Sequence, residues 1–279
     1  MKASHDNTPK LWDELWSEPV SAEEDLLNLA REENGIRWQR LEQIALRKFG
    51  KLDGLRVIEI GAGAGTNAAL MARRGANVTI LDYSEAALRR AMEFFRRINL
   101  TAELVCQDVL SLPADLLGRY DISMSFGLTE HFRGEERLRI NKAHFDLLRP
   151  GGMAVISVPN KYNPPYRLFK VAAGLVGAWK VGGEYPYSRR ELSRICHLIG
   201  ITDFGFFGDS FFTSFRFVSP VRAIQKLLKI KSIQPITGLK KEKGTPIDAY
   251  FGYALVLYAT KWAPGIRRCE PPKSRNDNC

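Results

Sequence analysis

No apolar run in this chain of 279 residues is long enough to cross a bilayer. A spanning helix needs about 20 apolar residues. The longest candidate, VAAGLVGAW at 171–179, is framed by Lys170 and Lys180. Cysteine is scarce as well. Cys106, Cys196, Cys269 and Cys279 have no metal-ligand spacing and form no framework of pairs. That excludes a disulfide-stapled module and a zinc ribbon, and it suits a reducing compartment. Met1-Lys2 leads into polar residues, so no signal peptide is expected. No internal repeat is visible. The expected location is the cytoplasm.

What is present is a core and an uneven charge. Hydrophobic residues make up 45% of the chain, enough to bury a sizeable interior, and 41 basic against 31 acidic side chains give +10. Most of that excess sits in two stretches. Residues 216–245 hold eight Lys or Arg and one acid, Glu242; residues 161–190 hold six and one acid, Glu184. The rest of the chain is close to neutral, which argues against a nucleic-acid partner spread over the whole surface.

Periodicity predicts a helix over 36–48, then strands and helices in alternation. Strands are expected at 56–60, 77–81, 102–106, 121–126 and 153–158. Helices are expected at 67–75, closed by Gly75, at 84–100, with Ser84 as N-cap, and at 135–148, stopped by Pro150-Gly151-Gly152. A helix over 188–200 carries Ser188 and Glu191 as a capping box and Gly200 after its end. Strands near 202–207 and 250–260 follow. Such alternation means a parallel α/β sheet with helices on both faces.

The stretch that carries chemistry is VIEIGAGAG, 57–65. Glycines between a strand and a helix let the backbone turn tightly and lie close to a ligand. Asp82 ends the second strand, where an acid can accept both ribose hydroxyls of a nucleoside. These features fit a nicotinamide dinucleotide or S-adenosylmethionine (AdoMet). Two residues separate them. The sixth position of the dinucleotide fingerprint wants glycine, and here it is Thr66. Glu59 stands two residues before the first glycine, badly placed for a pyrophosphate and well placed for the ammonium group of a methionine tail.

From about Gly54 to Asn160 the chain resembles the class I AdoMet-dependent methyltransferases, with a weaker echo at 186–208. VIEIGAGAG, ILDYS, LVCQDVLSLP, DISMSFGLTEHF and LLRPGGMAVISVPN match the family's motifs in order. The resemblance implies a Rossmann-like seven-stranded sheet of order 3-2-1-4-5-7-6, strand seven antiparallel, with helical insertions after strand five. It implies that Glu59, Gly61, Ala62, Gly63 and Gly65 line the amino-acid and ribose parts of AdoMet. Asp82 would hold the ribose, Tyr83 would lie beside the adenine, and Asp108 and Val109 would meet the adenine amino group and ring. Phe126 and Gly127 complete the cofactor set.

GLTEHF resembles the small-molecule O-methyltransferases, including quinone-precursor enzymes. Some bind a metal through an acid before the Glu-His pair; Gly127 stands there instead, so no metal is assigned. For a hydroxyl acceptor, His131 after the fourth strand is the candidate base. NPPY at 163–166 follows the fifth strand rather than the fourth, and is read as a loop that starts a helix.

The expected organisation is an N-terminal helical segment at 1–50, a methyltransferase domain at 51–261 with insertions near 161–186 and 213–246, and a disordered tail at 262–279. Two alternatives stand beside a small-molecule enzyme: a methyltransferase of RNA or protein, and a catalytically silent AdoMet-binding module. The segments 165–179 and 219–230 pattern as basic amphipathic helices, able to cover a hydrophobic acceptor and to rest on an anionic membrane surface.

Overall fold

The computed structural model describes residues 8–175, 183–218 and 239–262. The expected helix 219–230 and the tail from 263 lie outside them. Seven strands form one sheet of order β3-β2-β1-β4-β5-β7-β6. They are β1 (Arg56–Ile60), β2 (Asn77–Asp82), β3 (Glu103–Cys106), β4 (Tyr120–Phe126), β5 (Leu148–Pro159), β6 (Phe204–Gly208) and β7 (Ala254–Thr260). The first five pair in parallel, while β7 runs antiparallel between β5 and β6. This is the expected order and direction.

The two-residue period of the strands splits the interior into two layers. Val57 joins Leu41, Ala45, Leu70 and Phe94 on one face of the sheet. Ile58 and Ile60 join Ile140, Leu147 and Ile195 on the other. Helices α3 (Ile36–Phe49), α4 (Thr66–Arg73) and α5 (Glu85–Arg97) supply the first layer; α6 (Gly134–Leu147) and α8 (Arg189–Leu198) supply the second. Glu59 falls on the first face, between the apolar strand neighbours Ile58 and Ile60.

Several boundaries move for local reasons. Helix α5 ends at Arg97 because Asn99 adopts a left-handed φ of 55°. Pro150-Gly151-Gly152 does not precede the fifth strand but lies within it. Leu148 already pairs with Tyr120, and the register then shifts before Ile122. Glu191 offers only its amide to Ser188, at 3.2 Å; its carboxylate turns to Arg137 at 2.8 Å, so the reciprocal half of the capping box is not made.

The N-terminal part holds more helix than periodicity showed. Before α3 come α1 (Pro9–Trp16) and α2 (Ala22–Asn34). Asp25 of α2 is buried and accepts from Arg90 and from Arg97 of α5, the latter at 2.6 Å. Removing one member of such a buried set leaves an uncompensated charge, at a cost of about 3–5 kcal/mol. The set ties the N-terminal helices onto the sheet's first face. After β5, α7 (Pro164–Leu175) follows Asn163, whose side-chain Oδ1 accepts from the Tyr166 amide at 2.8 Å. NPPY is therefore a helix start, as its position in the chain suggested.

Candidate active site

The turn after β1 uses each of its glycines differently. All three have left-handed φ: 59° at Gly61, 53° at Gly63 and 70° at Gly65. A Cβ on Gly61 would meet the Leu128 side chain at 2.6 Å, and one on Gly63 would enter the Trp16 ring at 2.1 Å. One on Gly65 would lie 2.8 Å from Ile80, where α4 packs on the sheet. Gly61 thus serves the cleft floor, Gly63, which lines neither cavity, gives Trp16 its seat, and Gly65 serves helix packing.

Asp82 stands at the end of β2, against this turn. Its two oxygens accept from the Gly63 amide at 3.3 Å and the Ser84 amide at 3.0 Å. Burial raises its pKa, and those amides hold it down in part. Glu59 Oε2 accepts from the Ala68 amide in α4 at 2.5 Å. Desolvation nevertheless pushes the Glu59 carboxyl up to about 8. Asp108 caps a 3₁₀ turn, Val109–Ser111, by accepting from Leu110 at 2.8 Å.

Two cavities open along the C-terminal ends of the strands. The larger, about 680 Å³, is lined by Glu59, Ala62, Phe126, Gly127 and Glu130 among others. The smaller, about 510 Å³, is lined by Gly61, Asp82, Tyr83, Asp108, Val109 and His131. Helix α1 stands between them. Pro9, at its start, lines the smaller; Trp16, at its end, lines the larger. Trp12 meets the His131 ring edge-on at 5.0 Å. Asp13 accepts from the Ser84 hydroxyl at 2.6 Å and the Ala86 amide at 3.2 Å, adding to the cap of α5. Sequence reasoning placed this stretch within a helical segment, 1–50, but did not give it a part in the cleft. Its signal was LWDELW, two tryptophans four residues apart on one face of a short helix.

Adjacent residues of the 3₁₀ turn Thr129–His131 face different cavities. His131 Nδ1 lies 3.0 Å from the Gly183 carbonyl, and burial lowers its pKa. Glu130 is 2% exposed, and its Oε2 has no hydrogen-bond partner. Burial pushes its carboxyl up to about 8; Glu184 adds to the rise, and Arg137 and Lys170 oppose it. His144 is buried between the Ile140 carbonyl, at 2.9 Å, and the Ser125 hydroxyl, at 2.8 Å, which is a structural placement.

The far wall of the larger cavity is polar. Arg37 binds Glu32 through two bonds, at 2.9 and 2.6 Å, and lies over the Phe126 ring at 5.2 Å. Asp209, Arg216, Glu242 and Tyr253 complete that wall. Among the described residues, no group of three His, Cys, Asp or Glu side chains is arranged to hold a metal.

Comparison with known proteins decides what this cleft belongs to. A profile of the methyltransferase-domain family matches residues 57–152. The ubiquinone biosynthesis O-methyltransferase of Leptothrix cholodnii is 30% identical over 176 residues, covering 60% of this chain and 71% of that protein. This chain belongs to the AdoMet-dependent methyltransferases.

The methyltransferase shares its fold with the magnesium protoporphyrin IX methyltransferase of Synechocystis with bound SAH. The TM-score is 0.53 at 16% identity, over 90% of this chain and 93% of the other. The cyclase SpnF is similar at a TM-score of 0.51 and 17% identity, over 80% of each chain. The fold alone therefore does not set the reaction. AdoMet is the cosubstrate of the methyltransferase, and the chemistry of its cleft suits that molecule. Carboxylates stand at both ends of the cleft, Glu59 in the larger cavity and Asp82 in the smaller. The glycine turn between them presents backbone where any side chain would intrude.

Proposed function

We propose that this methyltransferase methylates a hydroxyl of a small molecule seated in the larger cavity, and that Glu130 takes the proton. The observation that carries this is the unpartnered Glu130 oxygen, buried at the end of β4 beside Gly127 and facing that cavity. Relatives that methylate oxygen in ubiquinone biosynthesis support the reaction type. The cofactor-holding residues follow the same division. Glu59, Ala62, Phe126 and Gly127 hold the methionine part of AdoMet. Asp82 and Tyr83 hold the ribose, and Asp108 and Val109 the adenine. Gly61, Gly63 and Gly65 shape the turn beneath it. Residues 51–261 form the catalytic unit, with the N-terminal helices as its cover.

Bound AdoMet supplies a methyl group on a sulfonium, which is already a good leaving group. The chain must therefore align the acceptor and keep water out. Orientation of this kind is worth about 7–11 kcal/mol in favourable cases. Trp16 and α1 roof the glycine turn, and the Arg37–Glu32 pair beside Phe126 gives the acceptor wall a fixed polar surface. A carboxyl whose pKa lies near 8 is, once ionised, a stronger base than an ordinary glutamate, so its proton-accepting form grows as pH rises toward 8. His131 is the alternative base from the sequence. Its Nδ1 is engaged by Gly183, and it lines the smaller cavity.

The test compares variants on a catechol panel with AdoMet. Glu130→Gln should lower turnover by about 10²–10⁴-fold with AdoMet affinity kept, and His131→Ala should lower it less. The reverse ranking would return the base role to His131. The reading extends to an acceptor presented at an anionic membrane surface, for which the face described next is the support.

A further inference from the structure

Helix α7 shows apolar side chains to solvent. Its inward residues are Pro165, Tyr166 and Ala173. Its outward residues include Leu168, Val171 and Leu175, at 63%, 60% and 84% exposure. These three follow one another at three- and four-residue spacing, so they form a stripe. A helix that covers a core and has no other partner shows charge on that side instead. The stripe continues onto a neighbouring element, the 3₁₀ helix Phe212–Val218, which packs against α7. There Phe212 is 62% exposed and Phe215 48%.

This face is held firmly. Asn163, at the start of α7, donates to the Phe251 carbonyl at 2.7 Å and to the Ser214 hydroxyl at 3.0 Å. The Phe211 ring packs on Phe212, Phe215 and Phe251 at centroid distances of 5.5, 5.3 and 6.4 Å. The exposed side chains therefore sit on an ordered platform. Thr213, Ser214 and Arg216 of the same 3₁₀ helix line the larger cavity, so the face adjoins the acceptor site.

Its rim is predominantly basic. Lys161 and Arg167 are exposed at the α7 end. Arg216 is exposed at the other end, beside the segment that carries Lys240, Lys241 and Lys243, all exposed. The acid in that segment, Glu242, accepts from the Ile36 amide at 3.1 Å and pairs with Arg216 at 3.8 Å.

We infer that the α7 face, with Leu168, Val171, Leu175, Phe212 and Phe215 flanked by these cations, docks on the surface of an anionic lipid bilayer. Apolar side chains enter the headgroup boundary, and the lysines and arginines meet anionic headgroups. A protein partner of the same face would be matched by shape and by few charges. A predominantly basic rim around an apolar stripe complements an anionic lipid surface. The inference rests on this face alone and needs no acceptor, so it stands or falls apart from the methyl-transfer reading.

The test is sedimentation of the full chain with vesicles of phosphatidylcholine, with and without phosphatidylglycerol. The protein should pellet with the anionic vesicles at low salt, release at high salt and ignore the neutral ones. Replacing Arg167, Lys240, Lys241 and Lys243 by Gln should lower the partition coefficient by on the order of 10²–10³-fold. Leu168→Ser with Val171→Ser and Phe212→Ser should weaken binding to anionic vesicles at every salt concentration. All these positions are exposed, and an unchanged thermal midpoint would show that the variants fold. A wild type that stays in the supernatant at low salt overturns the inference. So does vesicle binding unchanged in both variants. So does a concentration-dependent dimer, lost in the Ser variant, without vesicle binding.

Discussion

Glu130→Gln should make the free protein more resistant to alkaline pH. The Glu130 carboxyl sits near 8 in the native state, against 4.5 when freely solvated. Between those values the folded chain holds a proton that the unfolded chain has released. Stability from this group is fully present below pH 4.5, falls as pH rises through that interval, and is lost above about 8. The slope is about 1.36 kcal/mol per pH unit, so the fall totals roughly 3–5 kcal/mol. Glutamine cannot ionise and removes it. Glu59 imposes a similar fall, also with a pKa of about 8, but it is common to both proteins and cancels in the difference. Urea unfolding of wild type and variant, at steps from pH 5 to 8.5, measures that difference directly. The variant's relative stability should climb across the range and level off near pH 8. A constant difference would refute the reasoning, because it would mean that Glu130 ionises as a solvated acid does.

The same burial at Glu59 predicts proton release when a cationic ligand arrives. Calorimetric titration of AdoMet near pH 7, in buffers of different ionisation enthalpy, should show up to about one proton released, and Glu59→Gln should abolish that release. Gly63→Val should abolish AdoMet binding and displace Trp16, seen as a change in tryptophan fluorescence, while far-UV dichroism stays native. Asp13→Ala removes an acceptor from the α5 cap and should cost about 1 kcal/mol, or ~2–4 °C in the thermal midpoint. It should also speed AdoMet dissociation, because α1 is then less firmly held; an unchanged dissociation rate would remove α1 as the cover.

The sheet order and the cofactor turn were legible because local rules agree there. Apolar strands, glycines at left-handed positions, Asp82 and the Ser84 cap all demand the same strand–turn–helix unit. The split between Glu130 and His131 was not legible. Both lie in one short turn, and which side chain faces which cavity depends on the 3₁₀ geometry of Thr129–His131 and on Gly183, distant in the chain. Helix α1 fell within the expected helical segment 1–50 but was not delimited in it, because eight residues are too few for a clear period. Its place comes from tertiary contacts of Trp12, Asp13 and Trp16. The strand start at Leu148 was missed because Pro150-Gly151-Gly152 signals a break, and β5 accommodates it with a register shift.

The most direct test of methyl transfer is incubation of the pure protein with methyl-labelled AdoMet and fractionated host-cell extract. The account predicts label in a small organic product from one or a few fractions, with loss of that signal in Glu130→Gln. AdoMet binding with no label incorporated from any fraction would contradict it, and would leave an AdoMet-binding module in place of a methyltransferase.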